Sequence, residues 1–201
     1  MKNSELADNR TRILDAARAL LQSRGFNAFS HRDLAAIVGI KSSSVHYYFP
    51  SKEALGIALI EDYTQALRQF FSVLEAEQAQ SPEDRIRAFC QLFEETAKSG
   101  DKVCLAGMLA SDFQTLGEPL QQALRQFFST VEGWLSIQML ALNPRLELAE
   151  VQKLARLAIS LLEGALLAAR VWQEPERVAQ AEALICHLVR PPQAFEMVAA
   201  T

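Results

Sequence analysis

A run of hydroxyl, imidazole and phenol groups between residues 42 and 48 is the most distinctive chemical feature of this 201-residue sequence. The stretch reads Lys41-Ser-Ser-Ser-Val-His-Tyr-Tyr-Phe49. Helical spacing places Val45 and Phe49 on a buried side and the polar side chains on the opposite side. Small hydroxyl groups permit close approach to another molecule, while His and Tyr side chains reach base edges or phosphates. The pattern is typical of a helix that lies in the major groove of DNA.

A lysine at the start of the next predicted helix fits the same chemistry. Ser51 is a typical helix N-cap, so Lys52 falls in the first turn, where a cation opposes the helix dipole. The placement becomes favourable if a DNA phosphate binds the free N–H groups of that turn. The alternative is an exposed lysine on a long helix.

The remaining reactive residue types form no pattern of a catalytic or metal centre. His31, His46 and His187 are far apart, and the sequence contains no HExxH, GxSxG or P-loop motif. The three cysteines are Cys90, Cys104 and Cys186. They lack CxxC spacing, so they indicate neither a disulfide framework nor a zinc site. We therefore predict a protein that is not an enzyme and that has no cofactor.

Cys104 is the one cysteine for which the sequence suggests reactivity. It lies at the predicted start of a helix, just after Lys102, where the helix dipole and the lysine charge would both favour a thiolate. The alternative is a small buried residue, which we also expect of Cys90 and Cys186.

The elements that position these residues are helices, because helical periodicity runs through almost the whole chain. Ser30-His-Arg-Asp33 has the capping-box pattern and opens a short helix that Gly39 ends; the next helix covers residues 41–49 and stops at Pro50. Two short helices joined by a tight turn form a helix-turn-helix. We predict an all-α fold with a DNA-binding head in residues 1–50 and a helical body in residues 51–201.

Charge is divided unequally between these two parts. Residues 1–55 contain eight Lys and Arg against five Asp and Glu, a net charge of +3, and the whole chain has −4, which leaves −7 for the rest. A basic head on an acidic body indicates that one end meets nucleic acid. The most apolar stretch, Leu154 to Trp172, contains three charged residues and is too polar to cross a membrane. We expect a cytoplasmic protein, since no apolar leader is visible.

One long segment resembles the DNA-binding signature of the TetR family of bacterial repressors. The segment is Phe29-Ser-His-Arg-Asp-Leu-Ala-Ala-Ile-Val-Gly-Ile-Lys-Ser-Ser-Ser-Val-His-Tyr-Tyr-Phe-Pro-Ser-Lys-Glu-Ala-Leu55. Its tail from Tyr47 is the most specific part, and the resemblance extends over about residues 10–57. The resemblance implies contacts with double-stranded operator DNA from Arg32, Ser42, Ser44, His46, Tyr47, Tyr48 and Lys52. Two positions depart from the family pattern: His46 stands where Tyr is usual, and Ser43 where Gly, Ala or Pro is usual.

The body is rich in aromatic residues and methionine without any catalytic cluster. This composition suits an apolar cavity for a small-molecule effector, which the resemblance also implies. The expected lining is Phe70, Phe89, Phe93, Met108, Phe113, Phe127 and Trp134. The alternative for each of these residues is an ordinary place in the core.

The last two predicted helices carry wide apolar stripes with many alanines, which allow close packing as in a four-helix bundle. The resemblance implies a homodimer formed through these helices. The predicted interface is Leu154, Ala158, Leu161, Leu162, Ala165, Leu184, Ile185 and Leu188. The alternative is that these stripes pack only within one subunit. We interpret the complementary stripe of Arg156, Ser160, Glu163 and Arg170 as solvent-facing. The alternative places Glu163 in a pocket.

Three hypotheses for function follow. The leading one is a DNA-binding transcriptional regulator, a repressor that a small-molecule effector releases from its operator. A helical enzyme would require a cluster of acid, base or metal-binding groups that the sequence does not show. A helical ligand-binding or adaptor protein that no longer binds DNA is the third, and the departures at Ser43 and His46 leave it open.

Overall fold

The computed structural model describes residues 2–77, 79–100 and 102–191, with side chains from residue 8 onward. It confirms the all-α prediction, because these residues form nine α-helices, two short 3₁₀ turns and no strand. The helices are α1 (Lys2–Arg24), α2 (His31–Val38), α3 (Ser42–Tyr48), α4 (Lys52–Ala76), α5 (Pro82–Lys98), α6 (Leu105–Ser111), α7 (Glu118–Leu142), α8 (Leu148–Trp172) and α9 (Glu176–Val189). The 3₁₀ turns cover Phe26–Ala28 and Phe113–Thr115.

The signals that begin and end the short helices act as the sequence predicts. Ser30 and Asp33 form a reciprocal capping box at the start of α2. Gly39 ends that helix with φ +75°, a left-handed conformation that favours glycine. A second capping box, Ser81 with Asp84, opens α5. Local sequence therefore determines where α2 and α5 begin.

Helices α1 to α3 form the part that we call the head. Its core consists of apolar side chains spaced for helix packing, including Ile13, Leu21, Leu34 and Val45, none of which is accessible to solvent. Phe49, just after α3, is also buried. These contacts hold α2 and α3 in a helix-turn-helix arrangement.

Helices α4 to α9 form the part that we call the body. The long α4 leads away from the head and packs on α7, while α5 packs on α7, α8 and α9. An ionic network ties the end of α9 to the start of α5: Arg190 donates to Glu83 at 2.5 Å, and Arg87 pairs with Glu83 at 2.9 Å and with Glu182 at 2.7 Å. The body is thus a helical bundle closed by side-chain ion pairs.

Within the described ranges, no helix combines the length and the apolarity that crossing a membrane requires.

Candidate nucleic-acid interface and effector cavity

The outer side of α3 presents its polar side chains to solvent. Val45 is completely buried on the inner side, and this orientation leaves His46 and Tyr47 exposed. The Tyr47 side chain is 73% exposed, unusual for a large aromatic residue, and its ring packs edge-on against Tyr48 with 5.2 Å between centroids. An exposed phenol on a short, well-packed helix is available to contact another molecule.

The other predicted DNA contacts surround these two residues. Ser42, Ser44 and Tyr48 are partly buried at the edges of the same side of α3. Arg32 is exposed on α2, which packs directly against α3. The structure therefore places these residues on two helices that pack against each other, and their contact with DNA stays a prediction.

A pair of histidine rings links α2 to α3. The His31 and His46 rings lie 4.4 Å apart between centroids. Burial lowers the pKa of His31, and the neighbouring His46 and Lys52 lower it further. Burial and these neighbours therefore favour the neutral form of the His31 imidazole, whose ring packs against that of His46. The sequence did not suggest this pairing because the two rings meet only through the packing of α2 on α3.

Lys52 has an intramolecular role that the sequence did not reveal. Its ammonium group donates a hydrogen bond to the backbone carbonyl of Phe29 and lies 4.3 Å from the centre of the Phe29 ring and 5.0 Å from that of Phe26. Burial lowers the pKa of Lys52. This side chain thus ties the first turn of α4 to the loop before α2, and a phosphate contact at the same place stays a prediction.

The short helix α6 joins the head to the interior of the body. At its carboxyl end, the Asp112 carboxylate accepts hydrogen bonds from the backbone N–H groups of Phe26 at 3.0 Å and Asn27 at 3.4 Å. Just before α6, Val103 exchanges hydrogen bonds with Gln22 of α1. At its amino end, Cys104 lines a cavity in the body. A helix of seven residues, about 10 Å long, therefore touches both regions.

A small cavity lies between α4, α5, α7, α8 and the start of α6. It encloses about 30 Å³, and its walls include Tyr63, Phe89, Phe93, Phe127, Cys104 and Glu163. That volume holds one or two water molecules rather than an effector. The expectation of a cavity between helices α4 to α8 is met in position. The expectation of a ready-made space for a small molecule is wrong, because side chains fill most of the region.

Of the seven residues expected to line an effector site, Phe89, Phe93 and Phe127 lie in the wall of this cavity and the other four do not. Contact of these residues with an effector stays a prediction. Phe70 lines a neighbouring surface groove. The Trp134 ring stacks on Phe71 at 4.0 Å and donates its N–H to Glu75 at 2.8 Å.

Met108 of α6 and Phe113 of the 3₁₀ turn after α6 both lie outside the wall of the cavity. Met108 packs beside Gly25, and Phe113 lies under the Arg125 guanidinium at 5.2 Å. The aromatic residues and methionines of the sequence correctly indicated which region holds the cavity. They did not indicate which side of each helix faces it.

Two sequence interpretations of polar residues near the cavity are corrected. Glu163 is partly buried and lines the cavity, so the solvent-facing interpretation is wrong for this residue and the pocket alternative is correct. Cys104 is buried, and burial together with Glu163 raises the pKa of its thiol. The predicted thiolate is therefore wrong, because desolvation outweighs the helix dipole. Tyr63, which the sequence analysis missed, lies 4.0 Å from the Cys104 sulfur.

The predicted dimer interface divides into two groups. Ala158, Leu162 and Ile185 are buried within a single chain, so the interface prediction is wrong at these positions. Leu184 and Leu188 are exposed, and Leu154, Leu161 and Ala165 are partly buried. A groove of about 390 Å³ runs between α8 and α9, and Leu161, Ala165 and Leu184 line it together with small residues such as Gly164.

Comparison with known proteins identifies the class to which this architecture belongs. Residues 13–59 match the family model described as bacterial regulatory proteins, tetR family. Residues 82–183, just over half of the chain, match that of the C-terminal domain of LmrA/YxaF-like transcriptional regulators. The helix-turn-helix head and the helical body thus define a DNA-binding transcriptional regulator. The chain belongs to the TetR family.

Individual relatives agree with this assignment. A TetR transcriptional regulator of known crystal structure from Legionella pneumophila is 35% identical, with a TM-score of 0.84 over 89% of this chain and 96% of that one. The HTH-type transcriptional repressor NemR of Escherichia coli is 28% identical over 119 residues, 58% of this chain and 60% of NemR. The HTH-type transcriptional regulator LmrA of Bacillus subtilis is 28% identical over 137 residues, 65% of this chain and 69% of LmrA. The alignment with NemR thus spans less than two thirds of that relative.

Proposed function

We propose that this protein is a cytoplasmic, homodimeric repressor that binds double-stranded operator DNA through α3 and leaves it when a small molecule binds in the body. The observation that carries the proposal is the exposed pair His46 and Tyr47 on the second helix of a helix-turn-helix. The proposal includes no catalytic activity, since the relatives are named as regulators.

The reading of DNA follows from the orientation of α3. Inward packing of Val45 and Phe49 directs the opposite side of the helix toward a major groove about 12 Å wide. Tyr47 and His46 contact base edges, while Arg32 and Lys52 contact phosphates and set the position of the head. In a two-fold symmetric dimer, the two copies of α3 enter successive major grooves roughly 34 Å apart, and the operator is palindromic.

The dimer forms through the exposed side of α8 and α9. Leu161, Ala165 and Leu184 border the groove between these helices, and Gly164 leaves the backbone of α8 open to close approach. Leu188 is exposed further along α9. Exposed leucines beside small residues are the pattern that packs a second pair of helices into a four-helix bundle. Ala158, Leu162 and Ile185 are buried within one chain, so they pack beneath the proposed interface and do not contact the second subunit.

The effector acts through α6. A molecule that enlarges the cavity displaces Cys104 at the amino end of α6, and this displacement reaches Asp112, which holds the turn at Phe26 and Asn27. Releasing that turn changes the position of the head relative to the body, and therefore the separation of the two α3 helices. The two states differ in DNA affinity, which is the requirement for regulation.

A gel-shift titration with DNA fragments that flank the protein's own gene tests this function. We expect a discrete retarded band with one fragment that contains a palindrome, and no band with a shuffled fragment of the same length and composition. Equal binding of both fragments would contradict sequence-specific recognition. Binding of neither fragment would support the adaptor alternative.

A further inference from the structure

A carboxylate lies in the mainly apolar wall of the body cavity. Glu163 of α8 faces the cavity beside the aromatic rings of Phe89, Phe93 and Phe127. Taking a carboxylate out of water is costly unless a partner of opposite charge or several hydrogen bonds compensate. The position of Glu163 therefore requires an explanation.

The chain makes room for this carboxylate. A Cβ atom at Gly107 would overlap the carboxylate of Glu163, so only glycine at this point of α6 leaves the space that the group occupies. Neutral polar residues line the same cavity: Cys104, and Tyr63, whose hydroxyl is 4.0 Å from the Cys104 sulfur. Among the described side chains, no lysine or arginine forms an ion pair with Glu163.

The cavity lies next to a surface groove toward which it can open. Four of its wall residues, Tyr63, Leu67, Leu92 and Thr96, also line a surface groove of about 430 Å³ between α4 and α5. Rotation of these side chains would join the groove to the 30 Å³ space inside and give a volume typical of small-molecule sites. The ligand then has its polar end at Glu163 and its apolar part among the aromatic rings.

We propose that the effector of this protein is an amphipathic organic cation, with a protonated amine at Glu163 and an apolar or aromatic body between Phe89, Phe93 and Phe127. The inference rests on the proposed function and assigns the chemical class of its ligand. A cation supplies the charge that Glu163 lacks, and the aromatic walls favour a positive group through their ring faces. A neutral ligand would leave the carboxylate without a charged partner.

The test compares three probes with the same phenyl ring and different polar ends: 2-phenylethylamine, 2-phenylethanol and 3-phenylpropionate. Binding to the full-length protein is measured by isothermal titration calorimetry at pH 7. We expect the amine to bind about tenfold or more tightly than the alcohol, and the carboxylate to bind least. Equal affinity for amine and alcohol, or no binding of the amine, would overturn the inference.

The variant Glu163→Gln assigns the preference to this residue, because glutamine keeps the shape and removes the charge. We expect the ratio of amine to alcohol affinity to fall to about one. The same substitution at the exposed Glu150, also on α8, serves as the control and leaves the ratio unchanged. An unchanged ratio in Glu163→Gln overturns the inference. Should that variant not fold, the comparison of probes on the unmodified protein still decides.

The outcome is separable from that of the proposed function. DNA binding by the ligand-free protein requires neither the probes nor Glu163. A protein that binds its operator but prefers the alcohol retains the function and loses this ligand class. A protein that binds the amine but no DNA fragment retains the ligand class and loses the proposed function.

Discussion

At the scale of single residues, the structure gives Lys52 two neighbours that a sequence does not display, the carbonyl of Phe29 and the Phe26 ring. The helix-dipole argument correctly indicated that Lys52 is unusual, but the only partner that it predicted was an anion. The start of α4 can be predicted from the local sequence. The contact of Lys52 with the loop at Phe29 cannot, because only tertiary packing brings that loop against α4.

Substitution of Lys52 separates stability from DNA contact. We expect Lys52→Ala to lower the free energy of unfolding by about 1 kcal/mol, because it removes a hydrogen bond to a backbone carbonyl. It should also reduce the log–log slope of operator affinity against salt concentration by about one unit, because one phosphate contact is lost. Thermal denaturation and fluorescence anisotropy measure the two effects.

The exposed Lys41, at the amino end of α3, provides the control. Lys41→Ala should leave the melting temperature unchanged whatever its effect on the salt slope. A Lys52→Ala protein with full stability would contradict the structural role of the side chain, and one with an unchanged salt slope would contradict the phosphate contact.

Glu163 and Cys104 show where residue-scale prediction fails. Both lie on helices whose periodicity is clear, yet their environment depends on Gly107, the glycine that makes room for the carboxylate, and on which helices meet around the cavity. An isolated glycine inside a predicted helix was the one available signal. Spacing alone could not tell that it makes room for a carboxylate 56 positions later.

At the scale of elements, the ionic network between α5 and α9 sets the acid stability of the body. Glu83 accepts hydrogen bonds from Arg190 and Arg87, which lower its pKa to about 2 from a usual value of 4.5. A carboxyl group whose pKa is lower in the folded state stabilises the fold above its unfolded pKa. That contribution disappears as the pH falls toward the folded pKa.

We therefore expect Glu83→Gln to be less stable than the unmodified protein at pH 6, with the difference shrinking as the pH falls from about 4.5 to about 2. Urea denaturation at a series of pH values measures it. The exposed Glu95 of α5 is the control, since Glu95→Gln should show no such pH-dependent difference. A difference in stability that stays constant down to pH 2 would contradict the role given to the Glu83 ion pairs.

The long helices show how much element-level prediction can achieve. Capping residues located the starts of α2 and α4, and Gly39 and Pro50 located the ends of α2 and α3, because these signals are local. Helix α8 was predicted as one of the last two helices of the chain, yet its apolar stripe was treated as one surface. Its residues divide between the core, as at Leu162, and the outer groove, as at Leu161. A wide stripe on a helix does not show which part faces a second chain.

At the scale of the whole molecule, the outer side of α8 and α9 is the proposed dimer interface. Leu184→Glu places a charge on a side chain that is 46% exposed in the single chain, so the fold of each subunit should survive. We expect the dimer dissociation constant to rise about tenfold or more, because a buried unpaired charge is costly at an interface. Sedimentation equilibrium measures the change.

A matched substitution elsewhere tests whether the position matters. Val73 on α4 is also exposed, and Val73→Glu should leave the dimer intact. If Leu184→Glu remained a dimer of unchanged affinity, α8 and α9 would not form the interface as proposed.

The central claim is that the exposed side of α3 reads DNA, and operator affinity of the Tyr47→Ala protein tests it most directly. Tyr47 is 73% exposed, so its removal should leave the head folded. Fluorescence anisotropy with a labelled operator should show a loss of about 1–3 kcal/mol, roughly 5- to 150-fold in affinity. The salt dependence should stay unchanged, because tyrosine carries no charge to release counterions. Full operator affinity in Tyr47→Ala, with the fold verified by circular dichroism, would contradict the claim.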